Sequence, residues 1–304
     1  MEQLYHKPVL LDESIKGLAI RSDGVYVDAT YGGGGHSKAI LDKLSSKGKL
    51  YAFDQDEYSQ KNMIDDYRFK FIDSNFKFLN KFLKHHDIEE VDGILADFGV
   101  SSYQLNNPER GFSYRFNGPL DMRMNKFQKF SASDIINKYS KEELSNLFKD
   151  YGELRNYKQL AAVIGVRRSI APINTTEQLR NSVTSIISDR FLNKTLSKIF
   201  QALRIEVNQE LECIKEFLIQ SSRALVPGGR LVCISYHSLE DKIVKHFFNE
   251  LSIDCICQPI IPVCNCNTKQ EYVIPKKKKY VPTDKEIKVN PRSKSAIMRY
   301  AIKL

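Results

Sequence analysis

Apolar residues in the first third of the chain fall in short runs that alternate with helix-like spacing. Runs rich in β-branched and aromatic residues cover 24–30, 49–54, 69–72 and 91–98, and each reads as a strand. Helical patterns follow the first three, with Ala39, Ile40 and Leu44 marking the first of them. Strand alternating with helix predicts an α/β fold: a mostly parallel sheet covered on both faces. The alternation stops near residue 106. From there to 205 no run reads as a strand. Ser140-Lys141-Glu142-Glu143 and Thr175-Thr176-Glu177-Gln178 each read as a capping box that opens a helix, and Pro172 separates two helical stretches. Val207, Leu211, Ile214 and Leu218 then share one helical face, which Leu225-Val226-Pro227-Gly228-Gly229 ends. Residues 230–236 read as a buried strand, 250–290 as irregular, and 295–303 as a last strand. The expected organisation is a core in two parts, 1–105 and 206–304, interrupted by an all-helical insertion at 106–205 that serves substrate recognition.

The first strand runs into Asp28 and then Gly32-Gly33-Gly34-Gly35-His36-Ser37 before its helix. Strand, glycine loop and helix is the arrangement by which a doubly wound sheet holds a nucleotide-like cofactor. A dinucleotide pyrophosphate seeks bare amides at such a loop, and a carboxylate at Asp28 would oppose it. S-adenosylmethionine has no phosphate but carries a sulfonium and an α-ammonium, which a carboxylate suits. The second strand ends in Asp54, nineteen positions after Gly35, close to the roughly 20-residue offset at which an acidic side chain takes ribose hydroxyls. Asp28 therefore tilts the choice from a nicotinamide cofactor towards S-adenosylmethionine, with Asp54 as the second anchor of the site. Phe76, after the third strand, offers a face for an adenine ring, although Phe78 and Phe82 nearby make core packing the competing reading. The fourth strand ends in Asp97-Phe98-Gly99, and neither a His-Arg-Asp loop nor a Val-Ala-Ile-Lys strand accompanies it, which excludes a kinase. Asp97 is the candidate catalytic residue or a cofactor anchor.

Composition changes this picture little. Of 304 residues, 42% are hydrophobic and 27% charged, as in soluble globular chains. No apolar run approaches the roughly 18–20 residues of a membrane span, and the first residues lack the layout of a signal peptide, so a cytoplasmic location is expected. The net charge of +9 leans towards an anionic partner such as nucleic acid, though a lysine-biased genome gives the same balance. Arg110, Phe112, Tyr114, Arg115 and Arg123 mix cations with aromatics in a way that suits RNA; the competing reading is a structured loop whose aromatics pack inward. His237 with Glu240 and Asp241 follows the fifth strand near the edge where substrate would enter. A metal or acid–base role competes with a helix cap, which such a grouping more often is, and the group reads as substrate-side structure. Cys255, Cys257, Cys264 and Cys266 form two Cys-x-Cys pairs, tighter than the usual spacing of zinc sites, and no metal ligand is assigned from sequence. Lys276 to Lys279 read as a solvated face that could also meet phosphates.

Longer motifs go further. Asp28 to Ser37, Asp97 to Ser102 with Gln104, Glu109-Arg110-Gly111-Phe112-Ser113 and Gly118 to Met124 stand in one order with Phe200 to Ile205, Ser235 to Asp241 and Asn290-Pro291-Arg292-Ser293. With these motifs the chain resembles the bacterial 16S rRNA cytidine N4-methyltransferase family, RsmH or MraW, from Lys7 almost to its end. The resemblance implies a class I S-adenosylmethionine-dependent methyltransferase fold, Rossmann-like, with a helical insertion after the fourth strand. It implies N4-methylation of a cytidine in the decoding region of 16S rRNA, as naked RNA or within the small ribosomal subunit, and leaves a homodimer open; the lack of a long apolar run argues against a membrane partner. Matched motif by motif, it implies cofactor contacts at Gly34, Gly35, His36, Asp54, Phe76, Asp97 and Gln104, to which the charge argument adds Asp28.

Overall fold

A computed structural model of the chain describes residues 8–257, 266 and 268–304. They fall into two compact units, one formed by the chain up to Gly99 together with 211–304 and the other by Val100–Glu210. The second unit is a few residues longer at each end than the sequence pattern marked.

The first unit holds a seven-stranded sheet: β1 (Val25–Asp28), β2 (Lys49–Asp54), β3 (Phe69–Asp73), β4 (Val91–Asp97), β5 (Leu225–Ser235), β6 (Tyr272–Val273) and β7 (Ile297–Lys303). Their order is β3-β2-β1-β4-β5-β7-β6. The first five pair in parallel; β7 runs antiparallel to β5, and β6 antiparallel to β7. Strand residues alternate between two faces, as a period of two demands. Val27, Phe53, Ile94 and Leu231 share a core with the helices Leu79–His85, Glu210–Ala224 and Ser238–Leu251. Tyr26, Leu50, Leu95 and Val232 share the opposite core with Leu11–Leu18 and Gly35–Leu41. Each fully buried side chain of this kind contributes about 1.5–3 kcal/mol.

Two sequence expectations need correction here. β5 begins at Leu225, not at 230, because Leu225 still pairs with Val91 before the register jumps to Arg230 opposite Gly93. Pro227 lacks an N–H and Gly228 has φ +82°, so residues 226–229 bulge out within the strand, while the helix before them ends at Ala224. The single helix face through Val207 and Leu218 is two helices, Asp189–Asn208 and Glu210–Ala224, parted at Gln209 with φ 50°. Apolar spacing does not register one residue in the left-handed region.

The second unit is built from the helices Ser102–Asn106, Ala132–Lys138, Lys141–Asp150, Tyr157–Ile170, Thr176–Thr184 and Asp189–Asn208. Capping boxes open four of them, at Ser101, Ser131, Ser140 and Thr175, so the expected starts at Ser140 and Thr175 are those seen. Ile135, Leu144, Phe148, Leu160, Leu179 and Leu196 meet in its own core. Among the described residues no helix is long and apolar enough to cross a membrane.

Candidate active site

The carboxyl ends of β1, β2, β4 and β5 are laced to one another by short bonds. Ala29 N donates to Leu95 O (2.7 Å), Tyr31 N to Phe53 O (2.9 Å), Phe98 N to Ile234 O (3.0 Å), and Asp97 N to Thr30 Oγ1 (2.7 Å). The glycine loop is held on this frame. Gly34 sits at φ 77°, where an added Cβ would lie 2.7 Å from the Tyr31 hydroxyl. At Gly35 a Cβ would lie 2.2 Å from Pro8 Cγ, closer than any side chain tolerates. Only glycine lets the helix Gly35–Leu41 begin here. Above Gly33 there is open space within 4 Å.

Three acidic groups surround the loop. The Asp28 carboxylate is 1% exposed and faces inward, accepting from Thr30 N (3.1 Å) and Ser37 Oγ (2.7 Å). Burial pushes its pKa up to about 6, and the charge of Asp54 adds to the rise. Asp28 therefore ties the strand end to the first turn of the helix that follows. Asp54 accepts from Gly32 N (2.8 Å), Asp56 N (2.9 Å) and Ser59 Oγ (2.6 Å), so it joins the glycine loop to the turn after β2. Burial raises its pKa as well.

Asp97 ends β4 with its side chain 21% exposed. Its Oδ1 accepts from the Tyr236 hydroxyl at 2.8 Å. Loss of water pushes its pKa up to about 7; the Tyr236 bond opposes the rise, and Asp28 and Glu240 add to it. Tyr236 follows β5 directly, and burial together with Asp97 holds its phenol well above the usual value. The sequence reading passed over this tyrosine. The only signal was its place within the Ser235 to Asp241 motif, one residue past a strand that lies beside β4.

His36 is 6% exposed. Its Nε2 lies 3.1 Å from Val9 O, an oxygen that can only accept, so Nε2 carries the proton. Burial lowers the ring's pKa to about 4, which leaves it neutral, and its Nδ1 stands 3.9 Å from Asp97. That approach is no ion pair at neutral pH.

Phe76 begins a short 3-10 turn capped by Asn75, and its ring packs on Phe217 (centroids 5.2 Å) and Phe98 (5.9 Å). Phe78 is 43% exposed, with Lys77 over its ring. The structure thus gathers Asp28, Gly34, Gly35, His36, Asp54 and Asp97 at one sheet edge, with Phe76 beyond β3. Gln104 belongs to the helical unit, where its Oε1 accepts from Ser101 N (2.9 Å) in a helix cap.

Other sequence candidates resolve differently. Arg110 is buried and donates to the carbonyls of Arg123 (2.9 Å) and Met124 (3.1 Å), while Phe112 sits in the helical core. Arg123 is paired with Asp121 at 2.7 Å, and Tyr114 packs on Phe200. Of that basic and aromatic set only Arg115 is exposed, so the inward-packing reading describes the rest. His237 caps the helix Ser238–Leu251 in a box with Glu240, as its sequence context indicated. Cys264 lies outside the described residues.

The chemistry of this edge fits a cationic, phosphate-free cofactor. Asp97, its pKa raised by loss of water and its side chain partly exposed beside the loop, would be eased by a positive charge. A loop tip open above Gly33 leaves space for a ligand. With five parallel strands and an antiparallel β7 between β5 and β6, the fold is that of a class I S-adenosylmethionine-dependent methyltransferase. The chain belongs to the MraW methylase family, whose model matches residues 3–304. It is 47% identical over 302 residues to "Ribosomal RNA small subunit methyltransferase H" of Phocaeicola vulgatus, covering 99% of this chain and 98% of that protein. The protein of the same name in Christiangramia forsetii is 48% identical over 306 residues, with the same coverage. A crystal structure of an rRNA methylase from Streptococcus thermophilus covers 97% of this chain and 93% of its own at 12% identity, but its TM-score of 0.42 is too low to bear on function.

Proposed function

We propose that this protein transfers a methyl group to the exocyclic N4 of a cytidine in the decoding region of small-subunit rRNA. S-adenosylmethionine supplies the methyl group on a sulfonium. The single observation that carries the reading is the Asp97–Tyr236 pair, an oxygen acceptor fixed at the end of β4 beside the glycine loop. The relatives' name supplies the RNA, and the resemblance of the motifs supplies the base and its region.

The lone pair of cytosine N4 is delocalised into the ring, which makes it a weak nucleophile. Attack places positive charge on that nitrogen, and an oxygen aimed at it lowers the barrier. Asp97 supplies that oxygen. The phenol of Tyr236 fixes its rotamer and favours the ionised form. His36 stays neutral and holds Val9 beside the loop; Asp28 acts as a positioning residue through Thr30 and Ser37. Asp54 takes ribose hydroxyls, and Phe76 with Phe78 flanks the adenine. The helical unit binds RNA through exposed cations and aromatics: Lys126, Phe127, Lys129 and Phe130 in one segment, Arg190 and Phe191 in another. Phe127 is 81% exposed and Phe191 53%, with the Arg190 guanidinium 5.4 Å from the Phe191 ring. Such faces stack unpaired bases at about 1–3 kcal/mol each.

Small ribosomal subunits from cells lacking the enzyme, incubated with tritiated S-adenosylmethionine and digested to nucleosides, test the proposal. The expected product is N4-methylcytidine. Label on a ring carbon or a 2′-hydroxyl would refute the N4 assignment.

A further inference from the structure

The sheet-bearing unit carries a second cluster of reactive groups that methyl transfer does not use. Between the helix Ser238–Leu251 and β6 the chain makes a long excursion, and no described residue of it lies in a helix or strand. Glu271 N donates to Leu251 O (2.8 Å), which closes its base. Connections this long are uncommon in compact domains unless something holds them. Cys255 and Cys257 near its start and Cys266 towards its end converge, with all three sulfurs within 4.8 Å of one another.

The geometry points to a structural zinc site: we propose that Cys255, Cys257 and Cys266 bind one Zn²⁺ that staples this loop. A tetrahedral zinc with bonds of about 2.3 Å sets its thiolates about 3.8 Å apart. Cys255 and Cys266 stand 3.9 Å apart. Backbone amides already point at the sulfurs. Cys257 N donates to Cys255 Sγ (3.4 Å) and Ile256 N to Cys266 Sγ (3.5 Å), the outer N–H···S bonds that orient sulfur ligands around a metal. None of the three is buried, so an ion can enter from solvent. Soft thiolate ligands select zinc over magnesium or calcium.

On binding, each thiol gives its proton to the buffer and forms one sulfur–zinc bond, with no change of oxidation state. Three thiolates leave one tetrahedral position. In the sequence Cys264 repeats the Cys-x-Cys spacing next to Cys266. Closing a long loop with a metal removes freedom from the unfolded chain, so the ion contributes stability although it lies away from the glycine loop's chemistry.

The test uses the full-length protein, purified reduced and without chelator. Elemental analysis should find one zinc per chain, released by a mercurial thiol reagent. Cobalt in its place should show thiolate-to-metal charge-transfer absorption. C255S and C266S should each hold zinc roughly tenfold or more weakly, and should be cleaved faster by protease between 252 and 270, with the far-ultraviolet circular dichroism unchanged. C213S, whose thiol lies in the helix Glu210–Ala224, should keep the metal. A reduced wild-type protein that holds no zinc and takes up neither Zn²⁺ nor Co²⁺ would overturn the proposal. So would peptide mapping of a Cys255–Cys266 disulfide in freshly lysed cells. Methyl transfer enters none of these readouts.

Discussion

In the sheet-bearing unit the telling polar groups point inward. Asp28, His36 and Asp54 are enclosed by the loop they organise, and burial moves the pKa of each away from its ordinary value. In the helical unit polar side chains are settled locally, by four capping boxes and by the Arg123–Asp121 pair, and the aromatics Phe127 and Phe191 are left to solvent. The difference separates two ways of making a binding site. Enclosed carboxylates fix the shape of a loop through its own N–H and O–H donors, at the expense of stability. An exposed basic and aromatic surface grips a large polyanion with little effect on folding.

Altering Asp97 should have the largest effect. Asp97→Ala should abolish methyl transfer, a loss of at least a hundred- to a thousandfold in kcat by analogy with loss of one stabilising group, while the melting temperature holds or rises. Full activity in that variant would remove Asp97 from the mechanism. Next in size is Tyr236→Phe. Because Asp97 is raised to about 7 and must be ionised to act, kcat/KM should climb as pH rises through that value. Without the phenol the climb should move to higher pH, since its hydrogen bond favours the carboxylate. An unmoved profile would break the link between the two residues.

Gly35→Ala probes the loop itself. The new Cβ meets Pro8, so calorimetry should show weak or absent S-adenosylmethionine binding, with about 1–3 kcal/mol of stability lost in urea titration. Retained affinity would mean the loop yields more readily than its packing implies. On the helical unit, Phe127→Ala should weaken RNA binding about fivefold or more with stability changed by less than about 0.5 kcal/mol. A loss of folding there would erase the contrast between the units.

The smallest effect is the pH dependence of folding. Asp28 and Asp97 have folded pKa values of about 6 and about 7, above the ordinary value of an aspartate. The folded state binds the extra protons, so their contribution is full below about pH 4 and is lost as pH rises through 6 and 7. Asp28→Asn should flatten the lower part of that decline, measured as urea midpoints between pH 4 and 7. A midpoint that rises with pH in wild type and variant alike would show other groups dominating.

By itself the sequence determined the strands β1 to β4, the helix starts at Ser140 and Thr175 and the glycine loop, because periodicity, capping and a need for glycine are local requirements. The acidic residues at the strand ends belonged to the same local pattern, and they indicated the cofactor. What only the tertiary structure decided were facts of long range. Tyr236 meets Asp97 across 139 positions because β5 lies beside β4, and no local pattern encodes that pairing. Arg110, Phe112 and Arg123 look like an RNA-binding set in one dimension, but hydrogen bonds and packing draw them into their own unit. Asp28 looks along the chain like a partner for a cation, whereas Thr30 and Ser37 turn its carboxylate inward. Charge and spacing are written along the chain; which way a side chain faces is settled only when the fold competes for its hydrogen bonds.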